Sequence, residues 1–208
     1  MSIERDRPEA ARPEAPTLDG QTPLADLSGL RVRGIRTLAQ LNVAEAENIR
    51  RATLRYLAAK PSRRKAPFDV SWMRRLHREM FGRVWQWAGT FRRSELNLGS
   101  PAAQIEVEMH QLADDLDAWD GSAMPMLEQA VRLHHRAVSI HPFLNGNGRW
   151  SRMLSNIWLR MHGAPPIEWP EPAIGATSEI RGVYLDAVRA ADRGDFAALV
   201  ELHARFAG

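Results

Sequence analysis

His141-Pro142-Phe143-Leu144-Asn145-Gly146-Asn147-Gly148-Arg149-Trp150-Ser151-Arg152 lies between two stretches of helical periodicity, and the rest of the chain is read outward from it. Pro142 disfavours the helical conformation at the residue before it, so the preceding helix ends at His141 and presents the imidazole at a loop edge. That is a suitable post for a general base. Gly146 and Gly148 leave the backbone free to take positive φ just before a helix, so successive N–H groups can converge on an anion at the helix N-terminus. The stretch is no Walker loop, because it lacks a Gly-Lys-Ser/Thr ending, and no dinucleotide fingerprint, because no strand precedes it. Arg149 and Arg152 stand three apart in the first turn of the next helix, where forked guanidiniums can hold phosphate oxygens. Taken singly, a Gly-Asn-Gly is an ordinary turn and a helix-end histidine an ordinary cap. A base, an anion cradle and two arginines within one short stretch make a stronger statement.

The flanks read as helices. Upstream, Ala130, Leu133, Ala137 and Ile140 share one face over Met126 to Ile140, and Leu112 and Leu116 mark Glu106 to Trp119. Asp69 is the N-cap of a helix carrying Trp72, Leu76, Met80 and Phe81 and ending near Gly82. Leu41, Ile49, Leu54 and Leu57 give a helix over Leu41 to Ala59, closed by the polar stretch from Lys60 to Lys65. Downstream, Leu154, Ile157, Trp158 and Met161 continue a helix stopped by Gly163 and Pro165-Pro166. Two final helices run from about Ser178 to Arg193 and from Asp195 to Phe206. Helical periodicity is lost from Thr90 to Gln104, which reads as a β-hairpin or exposed loop around Leu96-Asn97-Leu98.

Composition narrows the classes. A chain of 208 residues with 44% apolar side chains can bury one sizeable core. All but two of its 28 basic residues are arginines, dispersed among acids, which argues against a nucleic-acid stripe. The absence of cysteine excludes disulfides, thiolate catalysis and Cys-type metal sites. No run approaches the roughly 18 apolar residues of a membrane span, and the N-terminal Pro, Glu, Arg and Ala lack a signal-peptide core. The expectation is a cytoplasmic protein with a disordered tail over 1–20, a helical arm over 21–65 and a catalytic core over 66–208. His134 and His135 do not have the spacing of a helical zinc site, and Trp72, Trp85, Trp87 and Trp158 read as core.

The stretch from His141 to Arg152 resembles the Fic signature, His-Pro-Phe-x-acid-Gly-Asn-Gly-Arg-x-x-Arg, at every fixed position but one. Trp87-Ala88-Gly89 looks like the lead into that family's flap, and Tyr184 with Ala191-Asp192-Arg193-Gly194-Asp195 looks like its adenosine-side pattern. Thr22-Pro23-Leu24 and Leu41-Asn42 are similar to the subgroup called mobile mystery protein B. The resemblance implies an all-α helical bundle with a small β-hairpin flap, and an adenylyltransferase that moves AMP from ATP to a Ser, Thr or Tyr hydroxyl of a target protein. It implies His141 as base; Gly146, Asn147, Gly148, Arg149 and Arg152 around the phosphates; Tyr184 and Asp192 beside the adenosine; and Asn97, Leu98 and Gly99 in a target-binding flap. The departing position is Asn145, where the family pattern has an acid that holds Mg²⁺. Gly148 favours AMP transfer over the kinase-like form with Lys there. The alternatives are another nucleotide or phosphoryl donor, or a nucleotide-binding pseudoenzyme. Val43-Ala44-Glu45-Ala46-Glu47-Asn48 is similar to the end of an inhibitory helix, which makes Glu47 the expected partner of Arg152. The subgroup likeness implies an antitoxin-like or helix-turn-helix neighbour protein.

Overall fold

The computed structural model describes residues 29–35, 37–175 and 178–208. The expected tail over 1–20, and Thr22-Pro23-Leu24 in the expected arm, lie outside the described residues. The α-helices among the described residues are α1 (Leu38–Leu57), α2 (Val70–Phe81), α3 (Ile105–Trp119), α4 (Met126–Ile140), α5 (Asn147–Met161), α6 (Glu171–Ile174), α7 (Glu179–Asp192) and α8 (Ala197–Arg205).

Their starts follow side-chain chemistry. Thr37 and Gln40 close a reciprocal capping box on α1. Asp69 accepts the Trp72 N–H at 2.7 Å to start α2, and Ser178 accepts the Arg181 N–H to start α7. Each such cap stabilises by about 1 kcal/mol.

Helix α4 is buried on two faces. The expected stripe Ala130, Leu133, Ala137 and Ile140 enters the main core with α1, α2, α3 and α5. Val131 points the other way, into a second cluster with Tyr184, Ala187, Leu199 and Leu202 from α7 and α8. Helix α5 is more enclosed still, with Trp150, Ser151, Leu154, Ser155, Ile157 and Trp158 all inaccessible to solvent. Polar groups on a helix so deep need partners. Trp150 Nε1 donates to the Met73 carbonyl at 3.1 Å, Trp158 Nε1 to Gln129 at 3.2 Å, and the Asn156 amide brackets the backbone of Ile167 at 2.8 and 2.9 Å. Burying one large apolar side chain here is worth about 1.5–3 kcal/mol. The candidate site is the turn between these two buried helices, so its backbone is fixed at both ends.

The expected hairpin is not formed. The β-pairing among the described residues is limited to two isolated bridges, Leu30 with Trp85 and Ile167 with Ala207. Residues 90–101 are an irregular loop. Its carbonyls are gathered by a side chain: the buried Arg92 guanidinium donates to Ser94 O at 3.0 Å and Ser100 O at 2.5 Å. A guanidinium placed inside the loop replaces the cross-strand ladder that would have defined a hairpin.

Candidate functional site

His141 is the C-cap of α4 in the left-handed conformation, φ 51° and ψ 58°, one of two non-glycine residues with positive φ among the described residues. The helix ends where the sequence indicates, yet the bias toward extended backbone before Pro142 is overruled by the need to close α4. Its N–H returns to Ala137 O at 3.4 Å. A left-handed non-glycine residue costs about 1–2 kcal/mol, and the surroundings enforce it. Arg92 Nε donates to the His141 carbonyl at 2.8 Å, and the Arg92 N–H donates to the Pro142 carbonyl at 2.9 Å. Gly99, at φ 93°, lies so close that a Cβ there would come within 2.5 Å of the His141 Cβ. The loop that carries Asn97 and Leu98 thus passes directly over the histidine.

The His141 Nδ1 lies 3.3 Å from the Val138 carbonyl. A carbonyl only accepts, so Nδ1 carries the hydrogen and Nε2 carries the lone pair. Burial, with a smaller contribution from the Arg92 charge, lowers the pKa to about 4. The ring is therefore neutral at pH 7 and able to accept a proton.

The turn that follows is locked from inside. Asn147, buried at the start of α5, accepts the Phe143 N–H at 2.9 Å and donates to the Phe143 carbonyl at 2.8 Å. Phe143 stacks on His77 at 3.7 Å between centroids. His77 receives the Gly89 N–H on Nδ1 at 3.0 Å and donates from Nε2 to the Asn145 carbonyl at 3.0 Å. Complete burial lowers its pKa to about 3, so it stays neutral and ties α2, the Trp87-Ala88-Gly89 turn and the loop together. Gly146 takes φ 81°, and a Cβ there would strike the Phe81 ring at 2.7 Å. Gly148, expected to need positive φ, instead lies inside α5, and its role is steric. A side chain would come within 3.3 Å of Arg152 Nη1. The N–H groups of Asn147, Gly148 and Arg149 open the helix and have no intrahelical acceptor. Free N–H groups at a helix N-terminus are suited to an anion.

The two arginines are already engaged, by different elements. Arg149 Nη1 donates to Glu45 Oε2 of α1 at 2.6 Å and lies over the Phe81 ring. Glu45 also accepts from Trp85 Nε1 at 2.6 Å. Arg152 makes a two-point fork with Glu171 of α6, at 2.7 and 2.5 Å. Burial opposes the Arg152 charge, but Glu171 more than offsets it and the pKa is raised. Glu47 is not the partner of Arg152. It faces outward from α1, paired with Arg50 and Arg51 at 2.9 and 2.8 Å, which hold its pKa down to about 2.

Tyr184 is not open to an adenine ring. It is buried, its burial raises its pKa, and its hydroxyl is shared between Arg152 and His134 Nε2, the latter at 3.0 Å. His134 Nδ1 lies 3.0 Å from His203 Nε2, and His203 Nδ1 lies 2.7 Å from the Leu199 carbonyl. Asp192 accepts from His135 Nε2 at 2.8 Å and Ser139 Oγ at 3.2 Å. The structure therefore gathers His141, Gly99 and Arg92 at one point, the 143–149 turn beside them, and Tyr184 behind Arg152.

A resident magnesium ion does not fit these residues. The Asn145 amide oxygen accepts the Gly146 N–H at 2.5 Å, Glu45 and Glu171 are committed to arginines, and no cluster of three His, Asp or Glu suited to a metal exists among the described residues. One neutral oxygen is a poor anchor for a hard dication.

Sequence reading missed Arg92, His77, Glu45 and Glu171. A signal existed for two of them. His77 falls on the apolar face of α2, and Glu45 falls on the stripe Leu41, Asn48, Ala52 and Tyr56 of α1.

Among known proteins, the Fic/DOC family model matches residues 67–159. The chain is 32% identical over 125 residues to protein adenylyltransferase Fic of Drosophila willistoni, covering 58% of this chain and 24% of that protein. It is 34% identical over 137 residues to protein adenylyltransferase fic-1 of Caenorhabditis briggsae, covering 62% and 25%. A solved N-terminal Fic domain of a Bartonella quintana effector, with bound ADP, superposes with a TM-score of 0.63 at 19% identity, covering 85% of this chain and 88% of that one. The chain spans about a quarter of the length of the curated relatives it matches. The turn between α4 and α5 lies inside the segment, residues 67–159, that is similar to the Fic/DOC family.

Proposed function

We propose that this protein transfers AMP from ATP to a Ser, Thr or Tyr hydroxyl of a target protein, with His141 as general base. The observation that carries the reading is the His141 imidazole, neutral and with its lone pair on Nε2, next to a helix that opens with unsatisfied N–H groups. The relatives' names as protein adenylyltransferases supply the reaction class.

In this reading the target hydroxyl oxygen attacks the α-phosphorus, the bond to the bridging oxygen of the β-phosphate breaks, and pyrophosphate leaves. The hydroxyl proton passes to His141 Nε2 as the new P–O bond forms. The N–H groups of Asn147, Gly148 and Arg149 meet the charge that develops on the phosphoryl oxygens. Arg149 and Arg152 exchange their carboxylates for phosphate oxygens, the outer phosphate going to Arg152. Magnesium carried by the nucleotide would supply charge neutralisation on its phosphates, with no ligand from these residues. Phe143 and His77 hold the turn without touching the reacting atoms. The loop through Asn97, Leu98 and Gly99 receives the target's backbone and brings its hydroxyl over His141. The core of the activity is residues 66–208, with α1 as an appended arm.

The test is intact-mass spectrometry of the protein and a cell lysate after incubation with magnesium and ATP, beside His141→Ala. A gain of one AMP, absent in the variant, is expected. Equal modification by the variant would remove His141 from the chemistry. Because the His141 pKa lies near 4, its ionisation leaves the rate flat between about pH 5 and 8.

A further inference from the structure

A cavity of about 320 Å³ lies along α1 and the end of α2, and the proposed transfer makes no use of it. Five of its twelve lining residues are arginines: Arg31, Arg51, Arg55, Arg78 and Arg83. Their charges are poorly matched. Glu47, outside the lining, is shared between Arg51 and Arg50, and Glu79 stands 3.5 Å from Arg55. Arg31, Arg78 and Arg83 have no carboxylate partner among the described residues. The cavity wall also carries an uncharged polar side chain. Asn48 is 3% exposed, lines the wall, and makes no side-chain hydrogen bond among the described residues. Ala52, Gly82, Trp85, Gln86, Ala88 and one carboxylate, Glu79, complete the lining.

We propose that this cavity binds a compact oligophosphate anion. Three unmatched guanidiniums suit a ligand with two to four negative charges, and forked donors suit tetrahedral oxyanions. A hollow of about 320 Å³ has room for a small molecule and is too short to track a polynucleotide backbone. Asn48 supplies a neutral donor and acceptor at the cavity wall. The ligand is either a free inorganic oligophosphate or the phosphate chain of a nucleotide, which share this chemistry.

The experiment is calorimetric titration of the full chain with inorganic tripolyphosphate, and in parallel with AMP, in metal-free buffer. Tripolyphosphate is expected to bind with affinity that falls about tenfold or more in Arg78→Ala/Arg83→Ala and severalfold in Asn48→Leu, while Arg152→Ala changes this binding less than about twofold. Both pocket arginines are exposed, and unchanged thermal unfolding of the double variant confirms that the fold is kept. ATP competing with tripolyphosphate while AMP does not assigns the site to the phosphate chain of nucleotides; no competition by either assigns it to free oligophosphate. Unchanged affinity in Arg78→Ala/Arg83→Ala, loss only in Arg152→Ala, or no binding overturns the proposal. Because the readout is binding outside the 141–152 turn, failure of AMP transfer leaves it standing, and its failure leaves AMP transfer standing.

Discussion

Arg149 and Arg152 sit three residues apart on one helix, and their ion pairs are built in opposite ways. At Arg149 the carboxylate is the hidden member: the Glu45 side chain is 4% exposed and the guanidinium 29%. At Arg152 the guanidinium is hidden at 6%, and Glu171 is 45% exposed. A phosphate displacing Glu171 leaves that carboxylate with access to water. A phosphate displacing Glu45 leaves a carboxylate in the core with only the Trp85 indole as donor. The second exchange is the harder one, because an unpaired buried charge is far more costly than an unpaired surface charge.

The largest expected effect comes from breaking the buried-carboxylate pair. Arg149→Met should destabilise the fold by about 3–5 kcal/mol in urea unfolding, and adding Glu45→Gln should recover most of that loss, since the pair then has no orphaned charge. Additive losses in the double variant would show that Glu45 is satisfied without Arg149. Glu171→Gln also leaves a buried charge without its partner, and it should cost somewhat less, about 2–3 kcal/mol, because the Gln carbonyl and the Tyr184 oxygen still accept from Arg152. It should also tighten ATP binding several-fold by removing the competing carboxylate. Weaker ATP binding in this variant would mean that Glu171 orients the guanidinium for the nucleotide. The smallest effect belongs to Glu47→Ala, which should leave both the unfolding midpoint and the transfer rate unchanged. A changed transfer rate would mean that α1 shifts in solution and brings Glu47 to the site.

Much of the fold was legible. The Ala130, Leu133, Ala137 and Ile140 stripe, the Asp69 cap and the stop at Gly163 are local signals, and local physics determines them. The second buried face of α4 was not, because Val131 and His134 are buried by α7 and α8, more than forty residues later. The hairpin expectation failed for a similar reason. Loss of helical periodicity marks irregular backbone but does not say whether another strand or a guanidinium will satisfy it, and here Arg92 does. At the site, His141 and the glycines were readable because Pro and Gly constrain their own neighbourhood. The partners of the arginines were not, since Glu45 and Glu171 arrive from distant segments. Choosing Glu47 followed a pattern of letters. The positions that share a face with Leu41 and Ala52 would have given Glu45, because a carboxylate on a core stripe requires a partner.

The chain of buried groups behind Arg152 has one further consequence. The Leu199 carbonyl can only accept, so His203 holds its hydrogen on Nδ1 and offers a lone pair from Nε2. His134 must then donate from Nδ1, which turns its Nε2 into an acceptor and directs the Tyr184 hydroxyl hydrogen toward it. The tyrosine oxygen is left with its lone pairs for the guanidinium. A main-chain carbonyl on α8 thereby polarises a row of three side chains in a single sense, and every dipole in the row ends with its negative pole at Arg152.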